Sequence, residues 1–165
     1  MLQPEEDVKK KVKTRNGQMK GIYVLLIELR KDTQVTVGKL LEIDFKKGYY
    51  AYVGSALNGL ESRIKRHLSH KKKFHWHIDY FLEKSDITSI IYAETLEKKE
   101  CKLAETLNEF ENIRNFGSSD CNCESHLCFS CDFEKLRGSV IHGFGKNNLE
   151  YFESVQLVNV EMFNK

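Results

Sequence analysis

The sequence predicts an α/β (α+β) fold, with a small mixed and largely antiparallel sheet flanked by helices. Three observations carry that prediction. The run Gly21-Ile-Tyr-Val-Leu-Leu-Ile-Glu-Leu29 is apolar and rich in β-branched residues, as expected of a central strand buried on both faces. A second β-rich run, Tyr49–Gly54, is aromatic and stops at a glycine followed by small residues. Beyond Asn58 the apolar residues fall at Leu60, Ile64 and Leu68, the spacing of one helix face.

The remaining elements follow in order. Residues 1–17 are polar and charged and read as an arm, residues 18–132 as the domain proper, and residues 133–165 as an extension packed on it. Lys31-Asp32-Thr33 marks a turn, with Gln34–Val37 as the return strand of a hairpin and Leu40–Phe45 as another short strand. Asn58 is the expected N-cap of a helix running to about His70. Phe74, Ile78, Phe81 and Leu82 suggest a second short helix. Ile87–Thr95 reads as a strand, and Lys98–Asn112 as a helix with Leu103, Leu107 and Phe110 turned inward. Residues 115–126 are a loop by composition. A short helix near Asp132–Arg137, a glycine-containing link at 143–145 and a strand around Val155–Met162 complete the chain.

With 165 residues the chain suffices for one domain with a real core. No apolar run approaches the roughly 20 residues that span a membrane, and no secretion signal opens the sequence, so a cytoplasmic location is expected. The net charge of +2 conceals a segregation. Residues 8–20 hold six Lys/Arg and no acid, and residues 61–77 hold six more with four histidines and the single acid Glu61. The rest of the chain has 14 Lys/Arg against 23 Asp/Glu, a net of −9. Local basicity on an acidic body is the footprint of a nucleic-acid partner. Lys65, Arg66, Lys71, Lys72 and Lys73 are the candidate phosphate contacts, although a solvated charged face has the same composition.

Five cysteines, one alone and four clustered, argue against a secreted disulfide framework. Cys121, Cys123, His126, Cys128 and Cys131 have ligand types and spacing compatible with a structural zinc that pins the loop. A reduced set of small apolar side chains is the plainer alternative.

Gly21-Ile22-Tyr23 and Tyr52-Val53-Gly54 resemble the two signature tripeptides of the GIY-YIG nuclease superfamily. The likeness continues into Arg63 on the following helix, with Lys65-Arg66-His67 behind it as in the homing-endonuclease branch. Glu100 opens a helix where that superfamily places its metal-binding glutamate. Tyr50-Ala-Tyr-Val-Gly-Ser-Ala56, His75-Trp-His-Ile-Asp-Tyr80, Glu100-Cys101 and Phe116–Leu127 look more closely like an uncharacterised prokaryotic, often archaeal branch. In that branch the domain is sometimes fused to a base-excision DNA glycosylase. Two departures stand out: the chain between Tyr23 and Tyr52 is long, implying an extra hairpin, and the superfamily's later asparagine has no assigned counterpart.

The resemblance implies a DNA endonuclease dependent on Mg²⁺ or Mn²⁺, serving DNA repair or processing beside a repair-protein partner. By the same carry-over Tyr23 is the general base, Tyr52 a hydrogen-bonding group for phosphate or water, and Arg63 the phosphate clamp. His67 assists proton transfer and Glu100 holds the divalent ion. Each has a plainer reading: the tyrosines as packing residues, Arg63 as a surface arginine, Glu100 as part of a solvated acidic helix face. Trp76 is read as core rather than as a base-stacking platform. The competing functions are a catalytically inactive nucleic-acid-binding module and a zinc-stabilised interaction domain.

Overall fold

A computed structural model describes residues 19–155. Its centre is β1 (Gly21–Leu29), paired antiparallel on one side with β4 (Gly48–Ala56) and on the other with β5 (Asp86–Glu94). The outer strands are β6 (Glu111–Asn112), β7 (Leu127–Ser130) and β8 (Tyr151–Val155), giving the order β6-β7-β4-β1-β5-β8 with every pairing antiparallel. The mixed α+β class expected from the sequence is the one observed. Among the described residues no helix is long and apolar enough to cross a membrane.

Antiparallel sheets often leave one face to water, but here both faces are covered. Alternation along β1 therefore divides one apolar run between two cores. Tyr23, Leu25, Ile27 and Leu29 enter one core, and Ile22, Val24 and Leu26 enter the other. The first core is closed by α1 (Leu60–Leu68), α2 (His77–Leu82) and the hairpin formed by β2 (Thr33–Thr36) and β3 (Glu42–Phe45). Phe45, Phe81 and Phe116 meet there, Phe45 lying 4.6 Å ring to ring from Phe81. The second core lies under α3 (Glu100–Glu105) and α4 (Phe133–Lys146), which contribute Leu103, Leu136, Val140 and Phe144.

Several boundaries differ from the sequence expectation, each for a local reason. The extra hairpin is present, but β2 pairs with β3 in a separate two-stranded sheet and does not return along β1. Both edges of β1 are taken by longer partners. Helix α1 begins one residue after Gly59, not at Asn58, because Gly59 adopts φ +129° and the backbone carbonyl of Met19 accepts the Leu60 N–H at 2.7 Å.

Helix α3 stops after two turns where a helix to Asn112 was expected. The Thr106 hydroxyl donates to the Leu103 carbonyl at 2.6 Å and competes for that acceptor, after which Glu111 and Asn112 pair with β7. At the C-terminal side, Asp132 caps α4 by accepting from the Lys135 N–H. The helix then runs unbroken through 143–145, read from sequence as a link. Gly143 is a packing glycine: a Cβ there would stand 2.4 Å from the Thr106 hydroxyl oxygen and 3.0 Å from Leu103. Strand β8 follows directly, so residues 133–155 complete the sheet and its second core. The expected arm and most of the expected strand to Met162 lie outside the described residues.

Candidate functional site

The two signature strands place their residues on one surface. Tyr23 lies opposite Gly54, and Leu25 opposite Tyr52, so the two phenols are diagonal neighbours on one face of the β1–β4 pair. Gly54 makes the arrangement possible. A Cβ at that position would lie 2.4 Å from the Tyr23 hydroxyl oxygen, so the absent side chain is the space the phenol occupies. The loop glycine Gly117, at φ +69°, similarly admits the Tyr52 ring, and its N–H donates to His77 Nδ1 at 3.0 Å. His77 and Phe116 thus fasten the loop to α2.

Helix α1 brings the basic groups across the phenols. His67 was expected off the apolar line of this helix; instead it faces the sheet beside Ile64 and is 3% exposed. Its Nε2 is 2.6 Å from the Tyr23 hydroxyl, and its ring lies 6.2 Å edge-on from Tyr52. Burial, with Lys72 as the next contribution, lowers the His67 pKa to about 3, so the ring is neutral. Burial also raises both phenols well above their ordinary range, an effect that the neighbouring Arg63 guanidinium partly offsets. The neutral pair therefore has its proton on the phenol, with one imidazole nitrogen facing it. The other ring nitrogen, Nδ1, is buried without a hydrogen-bonding partner.

Glu100 reaches the same place from the opposite layer. Ser55 is on the pleat facing away from Gly54, and its hydroxyl donates to Glu100 Oε2 at 2.8 Å. The other carboxylate oxygen, Oε1, is 2.8 Å from His126 Nδ1. That contact is at ion-pair distance but off the direction of a straight N–H···O bond. Burial would raise the Glu100 pKa; the His126 and Ser55 contacts and the charge of Arg63 outweigh it, and the net shift is downward. Tyr23, Tyr52, Arg63, His67 and Glu100 are therefore all close enough to act on one another's charge. Arg63 and Glu100 are half-buried at the rim, whereas Tyr23, Tyr52 and His67 form the floor.

The basic residues divide by role. Arg66 grips Asp79 with both guanidinium nitrogens at 2.7 and 2.8 Å. Asp79 is fully buried and also accepts the backbone N–H groups of His75 and Trp76. Burial alone would raise the Asp79 carboxyl, but these donors hold it down at about 2. Lys72 donates to the terminal carbonyls of Arg66 and His67, a C-capping position. Lys65 pairs with Glu61 one turn earlier, while Lys71 and Lys73 face solvent. Trp76 packs against the first core and is flanked by Arg63 and Arg66, whose guanidinium carbons lie 4.2 and 4.0 Å from the ring centroid. Its indole holds Arg63 at the rim.

The expected metal set needs correction. Cys101, Cys121, Cys123 and His126 form a cluster that offers three sulfurs and one nitrogen, all within 4.8 Å of one another, with room for a metal ion. Cys128 and Cys131 are not part of it. From His126 the chain extends into β7 at about 3.3 Å per residue, which carries Cys128 into the second core and Cys131 to an exposed position past the strand. Burial pushes the Cys128 thiol up to about 12, in keeping with a packing residue. Cys101 takes their place. Its adjacency to Glu100 was visible in the sequence, but its distance from the other cysteines concealed its membership.

No curated protein and no solved structure matches the chain. A family model does match, covering residues 22–148 from β1 to the end of α4 and so nearly all of the fold described above. That coverage makes the chain a member of the family described as domain of unknown function DUF123.

Proposed function

We propose that the protein is a metal-dependent DNA endonuclease related to the GIY-YIG superfamily, hydrolysing phosphodiester bonds in DNA repair or processing. One observation carries this reading: a buried phenol 2.6 Å from a neutral imidazole, with a guanidinium and a carboxylate at the rim of the same recess. Hydrolysis of a phosphodiester needs an activated water, neutralisation of the phosphate and help for the leaving oxygen.

In this reading Arg63 takes the non-bridging phosphate oxygens, and Trp76 keeps its guanidinium from swinging away. Tyr23 removes a proton from the attacking water while passing its own to His67 Nε2, so no tyrosinate accumulates. The arriving phosphate anion favours that transfer, because negative charge nearby stabilises an imidazolium. Tyr52 hydrogen-bonds the phosphate or the water. Glu100 holds Mg²⁺ or Mn²⁺, a hard cation that neutralises charge on the phosphoryl and leaving oxygens. The donor set fits such an ion: each Glu100 oxygen has one protein contact and a further lone pair, and the side chain is 28% exposed. Lys71 and Lys73 supply contacts to the DNA backbone, and zinc at the Cys/His cluster pins the loop.

Burial of Tyr23 and His67 favours a second reading, a binding module that keeps the fold and basic surface without turnover. One experiment separates the two. Branched, damaged and plain DNA are incubated with wild type, Arg63→Ala and Glu100→Ala in Mg²⁺ and Mn²⁺, with binding measured in parallel. The endonuclease reading expects strand breaks from wild type and losses of about 10²–10³-fold in each variant, the scale for removing one charge-stabilising group. Salt-sensitive binding without breaks, unaffected by Glu100→Ala, selects the binding module.

A further inference from the structure

Three thiols and one imidazole from two separate pieces of chain meet behind Glu100. Cys101 belongs to the first turn of α3; Cys121, Cys123 and His126 belong to the loop before β7. His126 Nε2 lies 3.5 Å from Cys121 Sγ and 4.0 Å from Cys101 Sγ, and no ligand atom of the four is more than 4.8 Å from another. A tetrahedral zinc with bonds of about 2.3 Å to sulfur requires ligand atoms about 3.8 Å apart. The four groups are within about an ångström of that spacing, and all the thiols are free.

We propose that Cys101, Cys121, Cys123 and His126 bind one zinc ion, and that His126 couples this ion to the position of Glu100. Three thiolates and an imidazole make a closed set, as in structural zinc sites, so the ion cross-links α3 to the loop. Metal-bound histidines commonly have their second nitrogen held by a carboxylate, which fixes the tautomer and aims the ligating lone pair. Glu100 is placed for that task, 2.8 Å from His126 Nδ1, with its other oxygen on Ser55. Ion entry displaces the three thiol protons to solvent. A cleft of about 500 Å³, bordered by Cys101, Cys121, Cys123, Glu105 and Asn108, gives the ion a route in.

The site thus does more than pin a loop: one carboxylate serves the zinc on one side and faces Arg63 on the other. The ligand set stands without the endonuclease reading. Only the consequence for phosphate chemistry rests on it.

The test measures metal without DNA. Protein purified under reducing conditions is expected to contain one zinc per chain. After replacement by Co²⁺ it should show the thiolate charge-transfer bands and intense visible transitions of a tetrahedral site. Cys101→Ser should abolish stoichiometric binding while Cys131→Ser leaves it intact, and Glu100→Gln should weaken zinc affinity about 10–100-fold. The Co²⁺ spectrum of wild type decides the thiolate site even if Cys101→Ser does not fold. Zinc-free reduced protein with no tetrahedral Co²⁺ spectrum, iron in place of zinc, or equal loss in Cys101→Ser and Cys131→Ser would overturn the site. Unchanged affinity in Glu100→Gln would overturn the coupling. Zinc-loaded protein that cuts no DNA leaves this site standing and removes the endonuclease reading; a zinc-free nuclease does the reverse.

Discussion

Tyr23→Phe is expected to lower DNA cleavage by about 10²–10⁴-fold, the range for loss of a positioned proton-transfer group. The substitution removes one oxygen from a fully packed ring and leaves the contacts that fill the first core. A thermal unfolding midpoint near that of wild type would show that the fold is kept. The loss should appear in kcat with KM nearly unchanged, because in the proposed mechanism Arg63 binds the phosphate and Tyr23 acts on water. The pH profile offers a second check. His67 is held neutral down to about pH 3, so cleavage should show no acid limb near the ordinary histidine value of 6.5. An acid limb at that value, absent from His67→Gln, would contradict the neutral phenol–imidazole pair.

Acidification should destabilise the protein in two stages. The folded His67 resists protonation until about pH 3, whereas the unfolded chain protonates at 6.5. Below 6.5 the unfolded state therefore binds the extra proton, and stability falls by about 1.4 kcal/mol per pH unit until about pH 3. Asp79 adds the second stage. Its folded pKa of about 2 lies below the ordinary 3.8, so its contribution is complete above 3.8 and is lost as pH falls toward 2. That contribution is about 2 kcal/mol at neutral pH. Urea denaturation at pH steps from 7 to 3 measures the first stage, and His67→Gln should flatten the slope between 6.5 and 3. Asp79→Ala, which leaves Arg66 without its buried partner and two backbone N–H groups unmet, should cost about 3–5 kcal/mol at pH 7. Unchanged stability in Asp79→Ala would show that the Arg66–Asp79 pair contributes little.

Much of this framework was legible in the chain itself. The all-apolar β1, the aromatic β4 and the helix beginning near Leu60 follow from residue pattern, because burial on both faces of a strand and one face of a helix leaves a periodic signature. What escaped the pattern is what depends on distant contacts. Four-residue β7 has no alternation long enough to stand out from the loop before it, and only pairing with Tyr49–Tyr52 defines it. Gly143 reads as a helix breaker until Thr106 and Leu103 are seen to need its missing Cβ. The same holds for the site. Tyr23, Tyr52, Arg63 and Glu100 were identifiable as a set, whereas the burial of His67, the use of Arg66 by Asp79 and the membership of Cys101 in the metal cluster required the fold. Spacing along the chain cannot report which cysteines a strand carries away and which a neighbouring helix supplies.

The central claim is that the Tyr23–His67 pair and the Arg63–Glu100 rim activate water against a DNA phosphodiester. It is tested most directly by single-turnover cleavage of branched, damaged and plain DNA in ¹⁸O-labelled water with Mg²⁺ or Mn²⁺. The account predicts strand breaks from wild type with one labelled oxygen on the product phosphate, and almost none from Tyr23→Phe or Arg63→Ala. Intact DNA throughout, or breaks of equal yield in all three proteins, would contradict it.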